Sequence, residues 1–456
     1  MTPDTSSATV STRASVLAKL AANTSWLFLE RAISLAVALS VGLYFTRYLG
    51  PDNYGLYSYA LGLYGLFAVV TRLGINALVV NETVRDSANQ ARIIGSAFLL
   101  RFGASVVAIL VLNIVAYFLM GQDITRSMTV VFSIALLFGP FETVTHWFEA
   151  NVAMKPMAIA RSVTTMSIGG LRLALLLNQA SLFWFVWLIP AETALAAVFF
   201  LLAYRSDGLS VRQWRPDVAI LKGYVREGTP LFLSTVAAVL YMKVDQVMLG
   251  KMTTPRDVGV YAAAVKISEM LYFVPMILSG LLFPYLIRFK RRGEDLFSQA
   301  FQLMCDGFAW MAVGIAIVFT LFSEQIVRLA YGSSYSDSAH ILVIHVWAGV
   351  FVALETLRSR WFVIQQNTRY QLLTMTAGAV ANVGLNLILI PRYQGYGAAI
   401  ATTVSYAIAV VLSCFFSKSM WGLGVTMLKS LLAPLRIRGS LYRYKVLKAA
   451  TDRTGD

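Results

Sequence analysis

The chain has 456 residues, of which 58% are hydrophobic and only 13% charged, with a mean hydropathy of +0.67. Soluble domains are about 45–50% apolar and about 25% charged, so a soluble globular protein is excluded, and apolar runs recurring from Trp26 to Phe416 exclude a soluble domain on a single anchor. The net charge of +15 raises nucleic acid as a partner, but in so apolar a chain it points to membrane orientation and anionic lipid, with no nucleic acid.

Residues 1–25 are polar, rich in Ser, Thr and Ala, and carry no apolar segment ending in a cleavage site, so they read as a cytosolic N-terminal segment. Twelve apolar runs follow, at 26–46, 55–76, 94–117, 128–149, 160–178, 181–203, 229–250, 258–287, 301–322, 340–364, 369–390 and 397–417. Each is near the ~20 residues that a helix needs to cross hydrocarbon. The runs are continuous rather than alternating, which selects helices over a barrel. Cys305 and Cys414 sit in two of these runs and read as small core residues, not as a disulfide or metal framework.

The turn after the first run, Arg47-Tyr-Leu-Gly-Pro-Asp-Asn-Tyr-Gly-Leu-Tyr-Ser-Tyr-Ala60, returns as Lys251-Met-Thr-Thr-Pro-Arg-Asp-Val-Gly-Val-Tyr-Ala-Ala-Ala264. A gapless shift superposes Pro51 on Pro255, Gly55 on Gly259, Tyr57 on Tyr261 and Ala60 on Ala264. The duplication predicts an all-α polytopic membrane protein with two six-helix lobes related as parallel repeats. The lobes are expected at 26–203 and 229–417, joined by a basic cytosolic linker at 204–228. A basic amphipathic tail occupies 418–456. Twenty-four Lys and Arg fall on one set of connections and six on the other, so both termini are expected in the cytosol. Residues 323–339 read as a short outer amphipathic helix ending near Gly332. In the tail, Trp421, Val425, Leu428, Leu432 and Leu435 recur at helical spacing among Lys and Arg, and a break is expected near Pro434. This pattern suits the anionic inner leaflet, or a partner-binding tail.

Charges inside the runs speak to mechanism. Arg31, Arg72, Arg101, Arg172, Lys243, Lys266, Arg358 and Arg360 are matched by Glu30, Glu142, Glu149, Glu192, Asp245, Glu269, Asp306 and Glu355. A mid-helix charge facing lipid costs about 2.5–3.5 kcal/mol on insertion scales, so these groups must line a wet cavity, pair, or snorkel from helix ends. Arg72 and Arg101 lie near cytosolic ends and read as snorkelling. Lys266 with Glu269, and Glu355 with Arg358, are three apart and can meet locally. Glu142, His146 and Glu149 fall at i, i+4, i+7 after Pro140, as a proton-titrating or sugar-binding stripe or as a polar seam between helices. Lys243 and Asp245 point different ways, which leaves one cation to face a cavity. Arg31, with Lys243 and Lys266, has the chemistry to hold a diphosphate. Arg172 and Arg358 join that set by location, and Asp245 and Glu355 join the titrating set. His340 and His345 lie on different faces and do not suggest a metal. No cofactor motif or P-loop is present, so uphill transport would draw on an H⁺ or Na⁺ gradient or on the lipid-linked substrate itself.

Asn23-Thr-Ser-Trp26 and Arg47–Gly55 resemble polysaccharide-biosynthesis flippases of the Wzx type, in the multidrug/oligosaccharidyl-lipid/polysaccharide exporter superfamily. So do Asp245-Gln-Val-Met-Leu-Gly250, Val258–Ala264, Leu329-Ala-Tyr-Gly332, Asn386–Pro391 and Gly397–Thr402. The resemblance implies a V-shaped, MATE-like transporter rather than an enzyme. It implies transfer of undecaprenyl-diphosphate-linked oligosaccharide to the outer leaflet of the bacterial inner membrane, for O-antigen, lipopolysaccharide or exopolysaccharide assembly. A polysaccharide polymerase and a chain-length regulator are the partners it implies. Family cavities use cationic residues, which Arg31 matches by position, and Asp245 matches a recurrent family Asp. Two other readings stay open: a multidrug or cation antiporter of the related type, and a non-transporting scaffold of a polysaccharide assembly machine.

Overall fold

The computed structural model describes residues 5–120 and 124–452. Side chains are described from Ser25 onward, except at 234, 241, 368, 369, 434, 435, 437, 438 and 449–452. The expected side chains Arg13, Lys19, Arg369, Pro434, Leu435, Arg438 and Arg453 therefore lie outside the described residues. The chain is an all-helical, multi-pass membrane protein. Among the described residues seven helices are long and apolar enough to cross a membrane, and nine if two bent pairs each count as one span.

Helix α1 (Thr5–Val70) runs from the N-terminal segment through two of the expected spans and breaks at Gly50, whose φ of 70° is left-handed. Gly50 supplies that conformation without a Cβ clash, and Pro51 lacks the N–H needed to continue the hydrogen-bond ladder. Next come α2 (Asn76–Arg85), α3 (Gln90–Met120) and α4 (Ile124–Ile134). The expected single span at 128–149 falls in one candidate span, Ile124–Ala150, whose α-helix is interrupted. Two 3₁₀ turns, Ala135–Leu137 and Gly139–Glu142, separate α4 from α5 (Thr143–Ala150), with Pro140 in the second turn. Helices α6 (Lys155–Leu177), α7 (Leu182–Val186) and α8 (Leu188–Ser206) follow. The stretch at 204–228 contains a 3₁₀ turn and then the first turns of α9 (Val218–Met252).

Thr254 caps α10 (Pro255–Met270) in a reciprocal capping box with Asp257, and Pro255 occupies the first turn. The expected helix at 258–287 breaks at Leu271–Tyr272, where α10 gives way to α11 (Phe273–Arg292). Helix α12 (Glu294–Leu321) leads to the short α13 (Ser323–Tyr331), which ends at Gly332 as expected. Helices α14 (Ser336–His345) and α15 (Ala348–Ile364) belong to a span bent by 46°. The last two expected runs are one helix, α16 (Thr368–Val410), broken at Gln394. The tail forms α17 (Trp421–Leu431) and α18 (Ile437–Asp452) around a 3₁₀ break at Ala433–Arg436.

The helices form two compact units. One ends at Leu49 and resumes over Ala60–Val236, and the other joins Gly50–Tyr59 to Ala237 and beyond. In the first, Val144, Phe148, Met157, Phe200 and Tyr204 form one apolar cluster, and Ile75, Val79, Ile94 and Tyr224 another. In the second, Phe297, Phe301 and Phe308 of α12 pack with Leu354, Leu357 and Phe362 of α15, and the cluster extends to Met427 and Leu447 of the tail.

The tail is thus docked on its own chain. Gln302 donates to Ser430 Oγ at 2.9 Å, and buried Asp306 accepts from Ser440 at 2.8 Å and Arg443 at 3.3 Å. Trp421, Val425, Leu428 and Leu432 form the exposed face of α17, opposite buried Leu423 and Met427. The second unit also holds the duplicated turn. A Cβ on Gly55 would overlap the Pro255 carbonyl, and a Cβ on Gly259 would overlap the Pro51 carbonyl. The two Pro-x-x-x-Gly elements meet backbone to backbone, which only a small residue permits.

Candidate functional site

The first unit encloses a cavity of about 330 Å³ walled by α1, α3, α6, α8 and the 3₁₀ turns after α4. Six charged residues line it: Glu30, Arg72, Arg101, Glu142, Arg161 and Glu192. Tyr64, Thr71, Thr164, Thr165 and Thr193 add hydroxyls. Glu142 is the hub. It ends the 3₁₀ turn at Gly139–Glu142, just ahead of α5, and lines the cavity, whereas His146 and Glu149 are not among the lining residues.

Arg101 is 1% exposed and reaches Glu142 Oε2 at 3.3 Å, Thr143 Oγ1 at 3.2 Å and the Thr71 carbonyl at 3.4 Å. It does not snorkel, because burial of a guanidinium requires a counter-charge and acceptors, and the 3₁₀ turn provides both. Arg72 and Arg161 approach the same carboxylate at 3.8 Å each, from 56% and 33% exposed positions. Three guanidinium groups therefore share one carboxylate. Glu30 accepts from Ser34 at 3.1 Å, and Arg172 stands in electrostatic reach of Glu192. The Arg172 guanidinium sits 5.4 Å from the Phe45 ring centroid, and its Nε is buried without a hydrogen-bond partner.

The second unit carries a buried polar network. Asp245, 2% exposed on α9, accepts from the Tyr261 hydroxyl, from Thr402 Oγ1 at 3.2 Å and from the Gln246 N–H at 2.7 Å. Asn382 donates to Ser405 Oγ at 3.0 Å, and Asn386 donates to Asn382 at 2.9 Å. Lys243 is not left as a lone cation. Both carboxylate oxygens of Glu269 accept from its Nζ at 3.1 Å. That contact replaces the expected local pairing of Lys266 with Glu269, and the Lys266 ammonium instead lies 5.7 Å from the Tyr54 ring centroid. Arg358 is fully buried, donates to Glu355 at 2.6 Å and to the Ala409 carbonyl at 2.6 Å, and forms the expected i,i+3 pair. His345 is buried against Ser268 at 2.9 Å.

A family model described as polysaccharide biosynthesis protein matches residues 20–290, more than half of the chain. The chain belongs to this family. Among the relatives of this polysaccharide biosynthesis protein is the probable low-salt glycan biosynthesis flippase Agl15 of Haloferax volcanii. It is 19% identical over 387 residues, covering 82% of this chain and 79% of that protein. The capsular polysaccharide biosynthesis protein CapF of Staphylococcus aureus is 18% identical over 422 residues, covering 88% and 99%. The fold is that of the lipid II flippase MurJ in its inward closed conformation, with a TM-score of 0.67, 15% identity, and coverage of 95% of this chain and 99% of that one. An inward-facing MATE-family multidrug resistance transporter of the MOP superfamily shares it too, with a TM-score of 0.60, 15% identity, and coverage of 90% and 96%.

Of the residues that the sequence of this polysaccharide biosynthesis protein offers for substrate binding or titration, Glu142 alone lines the charged cavity, together with the intramembrane charges Glu30, Arg72, Arg101 and Glu192. Arg31 is exposed on α1 beside Glu30 and outside the lining. His146 is buried, meets exposed Glu149 at 3.3 Å and stands in electrostatic reach of Glu142. Asp245, Lys243 and Lys266 lie in the second unit, as do Arg358 and Glu355. Arg161 lies at the edge of the expected run 160–178; Pro156, favoured in the first turn of a helix, marks the start of α6 at Lys155 and places Arg161 well inside it.

Proposed function

We propose that this chain is a flippase that moves a lipid-linked glycan, of the undecaprenyl-diphosphate type, from the cytosolic to the outer leaflet of a bacterial inner membrane for surface polysaccharide assembly. The observation that carries the reading is family membership over residues 20–290. The likeness, over 82% of this chain and 79% of that one, to a protein named as a probable glycan biosynthesis flippase supports it. Breaks at Gly50 and Gln394 divide α1 and α16. Together with the bent spans and α6, they are consistent with twelve spans in two six-helix lobes with cytosolic termini. The cavity chemistry favours an anionic substrate over an organic cation. Three arginines converge there, and one of the three acidic residues, Glu142, is already engaged by all of them.

Asp245 is the residue we assign to coupling. A buried carboxylate that accepts from the Tyr261 and Thr402 hydroxyls and the Gln246 N–H is suited to exchange of H⁺ or Na⁺. Arg31, Lys266 and Arg172 stay as candidates for the substrate path, with Glu142, His146 and Glu149 as candidates for titration. The paired Lys243, Arg358 and Glu355 fit structural ion pairs better. The basic tail, with its exposed Trp421 and Leu428, suits contact with anionic lipid.

Gene deletion followed by complementation tests the function. The expected result is loss of surface polysaccharide with the lipid-linked intermediate held on the cytosolic leaflet, restored by the wild-type chain. Normal polymer and no trapped intermediate in a strain lacking any second flippase would refute it. Gain of resistance to organic cations without a polymer defect would favour an exporter. Trapped intermediate despite reconstituted transport by another chain would favour a scaffold.

A further inference from the structure

The cavity of the first unit treats its three arginines unequally. Arg101 is fixed, with three hydrogen-bonded contacts and almost no exposure. Arg72 and Arg161 touch Glu142 only at 3.8 Å, beyond hydrogen-bond length. Among the described residues neither makes a side-chain hydrogen bond within the first unit, and Arg161 adds only a distant contact, 6.0 Å, with the Phe200 ring. Their planar forks are thus held near one anion by charge while their donors remain uncommitted. A guanidinium fork is built for bidentate contact with phosphate or carboxylate oxygens.

We propose that Arg72 and Arg161 form a binding site for a diphosphate, and that Glu142 is its built-in placeholder. In the empty cavity the carboxylate keeps the two guanidinium groups convergent and limits their mutual repulsion. When a diphosphate arrives, its oxygens take over the forks of Arg72 and Arg161, and Glu142 stays with Arg101 and Thr143. Of the threonine hydroxyls lining the same space, those of Thr71, Thr164 and Thr193 already donate to backbone carbonyls, and Thr165 is the further donor among the described residues. A volume of about 330 Å³ is at the lower end for small-molecule sites, roughly 300–1,000 Å³. It accommodates a head group, while a prenyl chain and an oligosaccharide must lie outside. The assignment of this diphosphate to the transported lipid rests on the function proposed above.

The test uses the purified full chain in nanodiscs of zwitterionic lipid, with binding of inorganic pyrophosphate and of farnesyl diphosphate measured by calorimetry. Three variants are compared: Arg72→Gln with Arg161→Gln, Glu142→Gln, and Arg85→Gln. Thermal unfolding is recorded for each. Glu142→Gln removes the competing charge and also the counter-charge of buried Arg101, which keeps Thr71 and Thr143, so it is expected to unfold at lower temperature and, where folded, to bind both ligands about tenfold more tightly, roughly 1.4 kcal/mol. The Arg72/Arg161 double variant is expected to lose at least tenfold in affinity. Arg85→Gln, at an exposed position outside the lining, is expected to leave binding in this cavity unchanged.

Wild-type affinity in a folded double variant would overturn the site while leaving the flippase reading intact. Unchanged or weaker binding by a folded Glu142→Gln would overturn the placeholder role. Loss of farnesyl diphosphate binding on adding phosphatidylglycerol would overturn the diphosphate assignment in favour of an ordinary lipid head group. If the wild type binds neither ligand, the site is overturned, and the complementation assay decides separately whether the chain is a flippase.

Discussion

Removing the Arg358 guanidinium should unfold the second unit more readily than any surface change. The side chain is fully buried on α15, and its Nε bonds Glu355 at 2.6 Å while Nη1 reaches the Ala409 carbonyl at 2.6 Å. In Arg358→Ala the Ala409 carbonyl keeps the Ser413 hydroxyl at 2.6 Å and is not orphaned. Glu355 fares worse. It is 16% exposed and retains only Ser359 Oγ at 3.0 Å. Breaking a buried pair by removing one partner costs about 3–5 kcal/mol. The residual exposure and the serine place this case near the lower end, at about 3 kcal/mol, on the order of a hundredfold in the unfolding equilibrium. Replacing both charges, Arg358→Met with Glu355→Leu, should recover most of that loss, because well-packed apolar pairs match buried ion pairs in stability. The assay is denaturant unfolding of the purified protein in detergent, with transport measured beside it. Wild-type stability in the alanine variant, or a double variant no better than the single one, would refute the argument. A stable double variant with full transport would also confirm that Arg358 positions helices rather than substrate.

Gly259→Ala drives a Cβ into the Pro51 backbone carbonyl, where no flexible side chain can yield. It should cost at least the ~1–3 kcal/mol typical of overpacking. Gly103→Ala, with open space around it, should unfold like the wild type in the same thermal assay. Arg443→Ala removes one of the two contacts from α18 to Asp306 and should speed tryptic release of the C-terminal segment, whereas Lys445→Ala should not. The Lys243–Glu269 pair is about one-third exposed at each partner, so solvent screens it. Glu269→Gln should therefore destabilise by no more than ~1 kcal/mol in detergent unfolding. A much larger loss would mean that Glu269 bears on the Asp245 network as well.

Much of the fold is legible in the sequence because membrane helices announce themselves by length and hydropathy, and because Pro and Gly punctuate them. Gly50-Pro51, Thr254-Pro255 and Gly332 end or start helices where their backbone chemistry requires. Local pairs are legible too: Glu355 and Arg358 meet as their spacing predicts. Pairing across helices is not. Glu269 turns from Lys266, three residues away, to Lys243, twenty-six residues away. Arg101 lies near a helix end, which suggests snorkelling, yet its partner Glu142 is forty-one residues on. Helical spacing aligns Glu142 with His146, which does stand in its electrostatic reach, but gives no sign that Arg72, Arg101 and Arg161 converge on that carboxylate. The tail shows the same limit. Its Trp421–Leu432 stripe is plain in the sequence, but the opposite face, Leu423, Met427 and Ser430, acquires meaning only once α12 lies against it.

The reciprocal contact of Gly55 with Pro255 and Gly259 with Pro51 is self-complementary, the hallmark of an isologous two-fold association. A half-length ancestor bearing one copy of the element would have met a second molecule of itself through the same patch and closed as a homodimer. Gene fusion then fixes the stoichiometry and lets the copies diverge where the symmetry no longer binds them. The chain records that divergence in one turn made by two chemistries. At the position where the first copy turns through a left-handed glycine, Gly50, the second has Thr254 and caps its helix with Asp257, whose counterpart is Asn53. The glycines at the point of closest approach, which neither copy can enlarge alone, are the same in both.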